Sequence, residues 1–300
     1  MQSDSGCLRN KNQQQNLGYV NMAANNISIG GTVSGQVTPL STPDNMSTTP
    51  ISLVSFNCRG LNQHKRRHTL FTMLLTLNFD IIFLQETHAP ANNNWSQEWL
   101  DMSGGHSYFP QAKNNMSAGV AILFNKNFTF QEKGIVSDPN GHFISMSIMQ
   151  DHFQYQLINI YGPNSDKEAF YENLEDYIFF SGPIIIAGDF NFTENSIDRE
   201  GPGKFASRNQ KGSLAFSKIK NNHSLFDTWR SLNPKTREFT YHEPTNNIRK
   251  NCQVRSRIDR AYISSHFTCT NAKIVPMGIS DHSLISTTFH SKLSKQTTYR

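Results

Sequence analysis

The 300-residue chain carries 28 Lys and Arg against 23 Asp and Glu, a formal net charge of +5, and four cysteines. Those cysteines form no Cys-x-x-Cys pair, which argues against a disulfide scaffold or a zinc site and favours a reducing compartment. We expect no membrane partner, because no apolar run approaches the roughly 20 residues that span a bilayer and the polar amino terminus lacks the pattern of a signal peptide.

Composition divides the chain into an arm and a domain. Residues 1–50 are dominated by Asn, Gln, Ser, Thr and Gly and show no hydrophobic period, so we expect a disordered polar arm. Short apolar runs recur from Ile51 to Phe289, which predicts one domain over residues 51–290 with a thick core. We interpret residues 291–300 as the start of a linker to a downstream region.

Most apolar runs are typical of strands, because they are short, β-branched or aromatic, and bounded by turn formers. In chain order the predicted strands lie at residues 51–57, 81–86, 119–124, 142–148, 155–161, 183–190, 256–263 and 283–289. Helical spacing is found at residues 65–77, with Leu70, Met73, Leu74 and Leu77 on one face, at 167–179, and around 214–220. Helices between more numerous strands predict sheet packed on sheet with helices outside.

Several predicted strands end in a polar residue that could bind metal or phosphate. These residues are Asn57, Glu86, Tyr161, Asp189 and Asp259. Ligands of layered α/β proteins gather beyond strand ends, where a rigid sheet positions side chains that stay open to solvent. One such residue is usually part of a turn, but five in one chain indicate a shared site.

Six short motifs carry a family resemblance: SFNCRGLN (55–62), LQETH (84–88), NIYGPN (159–164), GDFN (188–191), SRID (256–259) and SDHS (280–283). In order and spacing they resemble the endonuclease/exonuclease/phosphatase superfamily. That resemblance implies an α/β fold, a four-layer sandwich of two packed mixed β-sheets flanked by helices. With SAGVAILF (117–124) and LFDTWR (225–230), the chain is most similar to the apurinic-type endonuclease domain of LINE-type (non-LTR) retrotransposon second open reading frame proteins.

The resemblance implies a metal site and a base. Glu86 would hold a single Mg²⁺, with Mn²⁺ as the alternative ion, Asn57 beside it and Asp281 completing the polar lining; hard cations prefer such oxygen ligands. Asp189 would orient and deprotonate the attacking water. Asn191 would donate to the phosphate, and because side chains alternate along a strand we expect it beside Asp189, with Phe190 in the core.

The resemblance also implies an acid. His282, paired with Asp259, would donate to the phosphate as imidazolium, because a neighbouring carboxylate raises a histidine's pKa. Tyr161 and Asn164 would contact the scissile phosphate or the metal shell.

Further residues are expected to bind DNA. Hydroxyl and backbone donors of Thr240, Ser256 and Ser280 would bind phosphates without specifying sequence. Residues 242–255 are similar to a hairpin that probes the minor groove, where basic side chains suit the electronegative groove. Its basic residues are Arg249, Lys250 and Arg255. The alternative is a solvated loop, and Trp229 is either a core residue or a DNA contact.

One position departs from the family pattern. Abasic-site repair enzymes carry an acidic residue two positions after the strand-end Asn, and this chain has Arg59 there. A cation would alter the metal environment and could grip a phosphate, so we expect nicking of intact DNA.

The resemblance therefore implies a Mg²⁺-dependent endonuclease that nicks double-stranded DNA and leaves a 3′-hydroxyl, which primes reverse transcription. The expected partners are the target DNA, the element RNA and a reverse transcriptase domain. Two alternatives are an abasic-site repair endonuclease and a catalytically inactive relative that only binds nucleic acid.

Basic residues are concentrated near the carboxyl terminus. Residues 245–300 carry nine Lys and Arg against two Asp, a local charge of +7, which suggests a polyanion partner or, alternatively, a solvated basic face. HKRRH at residues 64–68 is a candidate nuclear-localisation signal or the solvated start of a helix. We expect a nuclear protein.

Overall fold

The order and direction of the strands within the sheets decide which polar strand ends lie close together. The computed structural model describes residues 49–110, 118–201, 207–243 and 253–292, with residues 207–210 described by backbone alone. The predicted arm, apart from residues 49 and 50, and the predicted linker beyond residue 292 lie outside this part. Within it, no helix has the length and apolar character to cross a membrane.

The helices and strands have the following bounds. The strands are β1 (Ile51–Asn57), β2 (Ile81–Gln85), β3 (Ser107–Tyr108), β4 (Val120–Phe124), β5 (Gln131–Ser137), β6 (Phe143–Gln150), β7 (Phe153–Tyr161), β8 (Ile184–Asp189), β9 (Arg199–Glu200), β10 (Leu225–Asp227), β11 (Tyr241–His242), β12 (Arg255–Ser256), β13 (Asp259–Ser264), β14 (Phe267–Pro276) and β15 (Ser283–Ser291). The helices are α1 (His64–Leu77), α2 (Trp95–Ser103), α3 (Lys167–Leu174), α4 (Ser207–Asn222) and α5 (Thr228–Leu232).

Two mixed sheets form the body of the described chain. The first has the order β14-β15-β1-β2-β4-β3 and the second β10-β13-β8-β7-β6-β5, while β11-β12-β9 form a small third sheet. The β1–β2 and β7–β8 pairs are parallel, so the carboxyl ends of both strands in each pair lie at the same sheet edge.

Apolar layers hold these elements together. Leu53 and Leu157 belong to a core shared by the two large sheets. Phe71 of α1 and Trp99 of α2 pack on the first sheet, and Phe216 of α4 packs on the second. Fully burying one such side chain stabilises the fold by about 1.5–3 kcal/mol. The order helix, sheet, sheet, helix confirms the predicted four-layer α/β sandwich.

Helix α1 buries a different face from the one that its leucines predict. Arg67 and Phe71 are buried with Leu70 and Leu74, whereas Leu77 is 42% exposed. Arg67 donates to Glu98 over 2.7 Å and Arg66 to three backbone carbonyls. Residues 64–68 are therefore the start of a helix whose two arginines are already engaged, not a free basic run.

The strand predictions fail where a strand lies at a sheet edge or bends. β5 and β14 were not predicted, because their exposed edge positions carry polar residues that break the apolar pattern. The predicted strand 256–263 is instead divided between β12 and β13. Arg257 lies at the break and turns into the interior.

Arg257 is the centre of a buried ion network. Its Nε lies 2.8 Å from Asp198 Oδ1, and its Nη1 lies 2.6 Å from Asp227 Oδ2. Its guanidinium covers the buried ring of Trp229. Trp229 is thus a core residue. Arg257 and Arg260 are each 1% exposed, so the basic carboxyl-terminal region offers a polyanion fewer cations than its charge suggests.

Candidate active site

Strand alternation delivers polar side chains to one end of the space between the two large sheets. In β8, Ile185, Ala187 and Asp189 face the other sheet. Asp259 of β13 lies directly opposite Asp189, and Tyr161 of β7 is its partner on the other side. The three residues form a row across adjacent strands.

Gly188 allows this close strand packing. Its φ is +149°, and a Cβ at this position would lie 1.9 Å from the Ile160 carbonyl oxygen. The glycine of GDFN is therefore required by backbone contact with β7.

Asn57 joins the two sheets at this end. Its Nδ2 donates to Glu86 Oε1 over 2.9 Å and to Asp189 Oδ2 over 3.0 Å, and its Oδ1 accepts from the Arg59 amide over 3.1 Å. Both N–H groups of the amide are therefore used to position carboxylates. Asn57 therefore lies beside Glu86.

Asp189 is a buried carboxylate next to a second one. Its Oδ1 accepts from the Asn191 amide over 2.9 Å. Burial, followed by the facing Asp259 charge, raises the pKa of Asp189 to about 6, although His282 opposes the rise. Like charges opposite each other on neighbouring strands destabilise the ionised form. Above pH 6 the group is an ionised acceptor.

His282 is held by Asp259. Its Nδ1 lies 2.9 Å from Asp259 Oδ2 and 3.1 Å from Oδ1, and its Nε2 lies 4.0 Å from Asp189 Oδ2. Burial lowers the pKa of His282, but the Asp259 carboxylate outweighs burial and raises it to about 9. The ring is therefore an imidazolium at neutral pH, with Nε2–H directed toward Asp189.

Asn191 lies beside the site, but it does so from a turn after β8 and not through the strand alternation that we predicted. β8 ends at Asp189, and Asn191 has a left-handed φ of +54°. Its Nδ2 donates to the Gly162 carbonyl over 2.6 Å, which leaves one amide N–H, and Lys167 donates to its backbone carbonyl. Phe190 lies in the core as predicted.

Glu86 lies at the mouth of the site, after β2. Its φ is +51°, and its Oε2 lies 3.9 Å from His88 Nε2. Burial, with the Glu86 and Asp189 charges, raises the pKa of Tyr161 far above its usual value, so the phenol stays protonated. Beside Glu86 is an open cleft of about 650 Å³, lined by Arg59, Asp281 and loop residues.

Two sets of side chains in the site are candidates for a metal ion. Asp189, Asp259 and His282 offer ligand atoms that all lie within 4.8 Å of one another and could hold a metal, but a protonated His282 is a poor ligand. Glu86 and Asp281 offer only oxygens, and both Asp281 oxygens are buried without a hydrogen bond in the described chain. That second set fits a hard cation.

The structure corrects the expectation that Thr240 and Ser256 bind DNA. Both are buried. The Thr240 hydroxyl accepts from the amides of Ile258 and Asp259 over 3.1 and 3.0 Å, so it positions the carboxylate that holds His282. Ser256 pairs with Tyr241 inside the small sheet.

Other expected DNA contacts lie at the periphery or outside the described residues. The Ser280 hydroxyl donates to the Asn57 carbonyl over 2.9 Å and so ties its loop to β1. Asn164 is exposed on a separate cleft, and Arg255 is exposed in β12. Arg249 and Lys250 lie outside the described residues.

A buried polar link beneath the site was not predicted. Gln85 Nε2 donates to Asn159 Oδ1 over 2.7 Å and to Ser55 Oγ over 3.0 Å, which cross-links the two sheets. On its strand, each of these three residues occupies the next position that alternation would give to the apolar core. Gln85 ends β2, and Ser55 and Asn159 lie two residues before the ends of β1 and β7. A polar residue at a core-facing position close to a strand end was therefore the available signal.

Three comparisons with known proteins agree with this architecture. The sequence model of the endonuclease/exonuclease/phosphatase family matches residues 54–282. The Transposon TX1 uncharacterized 149 kDa protein of Xenopus laevis is 31% identical over 247 residues, which are 79% of this chain and 18% of that protein. This chain thus spans under a fifth of that relative.

Solved structures share the fold. AP endonuclease LMAP from Leishmania major has a TM-score of 0.66 and 18% identity, with 85% of this chain and 92% of that chain covered. The 3′ phosphatase NExo from Neisseria, bound to a product DNA hairpin, has a TM-score of 0.65 and 18% identity, with coverage of 81% and 100%.

Proposed function

Because the chain belongs to the endonuclease/exonuclease/phosphatase family, we propose that it is a Mg²⁺-dependent DNA endonuclease that hydrolyses one phosphodiester bond and leaves a 3′-hydroxyl. The observation that carries the proposal is the buried Asp189, Asp259 and His282 group, which Asn57 links to Glu86. In this group the Asp189 carboxylate, which is ionised above pH 6, lies 4.0 Å from Nε2 of the His282 imidazolium.

Asp189 is the base. Water attacks phosphorus as the bond to the 3′-oxygen breaks, Asp189 accepts a proton from that water, and the leaving 3′-oxygen takes a proton from solvent to become the 3′-hydroxyl. A pKa of about 6 keeps Asp189 ionised at neutral pH while making it more basic than an ordinary aspartate. Positioned proton transfer of this kind is typically worth about 10²–10⁴-fold in rate.

His282 and Asn191 stabilise the phosphate. The imidazolium Nε2–H and the remaining Asn191 amide N–H donate to phosphate oxygens as negative charge develops there. Donors fixed before the reaction need no reorganisation, which makes them effective in a buried site. Asp259 keeps His282 charged and oriented, and Thr240 fixes Asp259.

Glu86 and Asp281 would hold the Mg²⁺, with Mn²⁺ as the alternative ion. When bound, the ion supplies electrostatic stabilisation at a phosphate oxygen, worth several kcal/mol. Asn57 orients Glu86 toward it, and the protonated Tyr161 hydroxyl bonds to the same carboxylate.

The transposon relative supports a retrotransposon origin. We propose that the nick is made in double-stranded target DNA in the nucleus, and that its 3′-hydroxyl primes copying of the element RNA by a reverse transcriptase domain of a longer protein. The 242–255 hairpin would read the minor groove, with Arg255 exposed at its described end.

Nicking of supercoiled plasmid tests the chemistry. Glu86→Ala and His282→Ala should each reduce Mg²⁺-dependent nicking at least 10²-fold, while Lys133→Ala, an exposed cation on β5, should nick normally. Circular dichroism checks that all variants fold. Undiminished nicking by both site variants would refute the proposal, and strong preference for an abasic duplex over an intact one would replace it with abasic-site repair.

A further inference from the structure

We infer that Arg59 is a tethered counter-cation of the metal site: it bridges Glu86 and Asp281 until a divalent cation displaces it, and it then binds a DNA phosphate in the adjacent cleft. The inference rests on the proposed function, because it assigns the metal to these two carboxylates.

One guanidinium contacts both carboxylates. Arg59 Nη2 lies 3.1 Å from Asp281 Oδ2, and Nη1 lies 3.8 Å from Glu86 Oε1. The Glu86 and Asp281 side chains are 12% and 14% exposed, whereas that of Arg59 is 44% exposed. Two sheltered anions from separate loops thus share one cation that can leave toward solvent.

The backbone of Arg59 is held by its neighbours, whereas its side chain is 44% exposed. Its φ is +52°, a conformation uncommon for a residue with a Cβ. Neighbouring bonds hold it: Gly60 N donates to the Glu86 carbonyl over 2.7 Å, and Arg66 Nη2 donates to the carbonyls of Cys58 and Ile279 over 2.7 and 2.6 Å. Arg66 therefore joins the two loops that carry Arg59 and Asp281.

The guanidinium and a divalent cation compete for the same oxygens. Neither Asp281 oxygen has a hydrogen bond among the described residues, so the ion pair with Arg59 is the main interaction that stabilises the buried Asp281 charge. A bound cation stabilises that charge in place of Arg59 and repels the guanidinium. The displaced side chain lies over the 650 Å³ cleft, whose lining includes Gln63 and His88. A guanidinium binds phosphate oxygens through two parallel N–H donors.

Metal binding and DNA binding should therefore strengthen each other. The metal releases Arg59 for a phosphate, and a phosphate that holds Arg59 leaves the carboxylates to the metal. Such coupling is reciprocal by thermodynamic necessity. Arg59 gives the site a DNA-dependent affinity for its ion.

Isothermal titration with MgCl₂, without DNA, tests the competition. Arg59→Ala should bind Mg²⁺ roughly three- to thirtyfold more tightly than wild type, the range expected from two partly exposed ion pairs. Lys133→Ala removes one charge elsewhere and should match wild type, and Glu86→Ala should bind more weakly.

Fluorescence anisotropy with nicked product duplex tests the coupling. Mg²⁺ should increase the affinity of wild type for the duplex, and Arg59→Ala should lose most of that increase. The slope of log Kd against log salt should fall by about 1 in Arg59→Ala when Mg²⁺ is present, with no change for the same variant in chelator.

The outcomes separate the inference from the proposed function. Unchanged or weaker Mg²⁺ binding by Arg59→Ala, with binding lost in Glu86→Ala, would overturn the role of Arg59 and leave the endonuclease proposal standing. Wild-type Mg²⁺ binding by Glu86→Ala would overturn the metal assignment and the inference with it.

Discussion

Replacing Asp189 with Asn should stabilise the protein at neutral pH while it abolishes DNA cleavage. Asp189 is buried opposite Asp259, and its pKa is raised from the ordinary 3.8 to about 6. Because the folded state binds more protons than the unfolded state between these values, stability falls as pH rises through this window. The full cost of the charge is present above pH 6.

The magnitude follows from the pKa. A rise from 3.8 to about 6 corresponds to about 3 kcal/mol at neutral pH. The amide of Asp189→Asn still accepts from the Asn191 N–H, but its own NH₂ group faces Asn57 Nδ2, and a lost buried hydrogen bond costs about 1–3 kcal/mol. That cost does not depend on pH. The free energy of unfolding of the variant relative to that of wild type should therefore rise by about 2 kcal/mol as pH rises from about 4.5 to about 7.5.

Urea unfolding in chelator at these two pH values measures the gain, and plasmid nicking measures the loss of activity, which should be about 10²–10⁴-fold. Asp151→Asn is the matched control, because Asp151 is exposed in the turn between β6 and β7 and should show no such change. An equal stability difference at both pH values would show that Asp189 carries no charge penalty and would refute the reasoning.

Three further substitutions probe the supports of the site. Arg257→Met removes the ion pair of the buried Asp227 but leaves Asp198 its ion pair with Arg230, and should cost about 3–5 kcal/mol in urea unfolding. Since Arg257 outweighs burial and lowers the pKa of Asp198, wild type should also lose stability below about pH 4, and the variant should show a smaller loss. Thr240→Val should lower kcat and leave the Kd for duplex DNA unchanged, as fluorescence anisotropy would show, because its buried hydroxyl bonds only to backbone groups of Ser256, Ile258 and Asp259. Asp259→Asn should move the alkaline limb of the pH profile of kcat from about 9 down toward the ordinary histidine value of 6.5, and an unmoved limb would mean that His282 does not set it.

Much of the fold was predictable because its central strands are short apolar runs with clear ends. β1, β2 and β8 begin and end within a residue of their predicted bounds, since both of their faces are largely buried and apolar residues predominate there. β5 was not predictable in this way. Its outer side has no neighbouring strand among the described residues, so its sequence is free to be polar.

The sequence pointed to several residues that lie close together in the structure, but not to the contacts between them. Motif order pointed to Asn57, Glu86, Asp189 and His282, and the structure places them together. No one-dimensional pattern shows that the Thr240 hydroxyl accepts from the amides of Ile258 and Asp259, because these residues lie 18 and 19 positions further along the chain.

Several residues beside the site have strained backbones. Arg59, Glu86, His88 and Asn191 all have positive φ and all lie beside the site, and each left-handed L-residue costs about 1–2 kcal/mol. The charge of Asp189 adds a further cost of the same order. The apolar layers offset these terms, and the hydrogen bond from Gln85 to Asn159 joins the two large sheets beneath the site. Substitutions that relieve strain or charge here should therefore stabilise the fold and slow cleavage together, whereas relief at Ser224, which has positive φ near β10, should stabilise it without affecting cleavage.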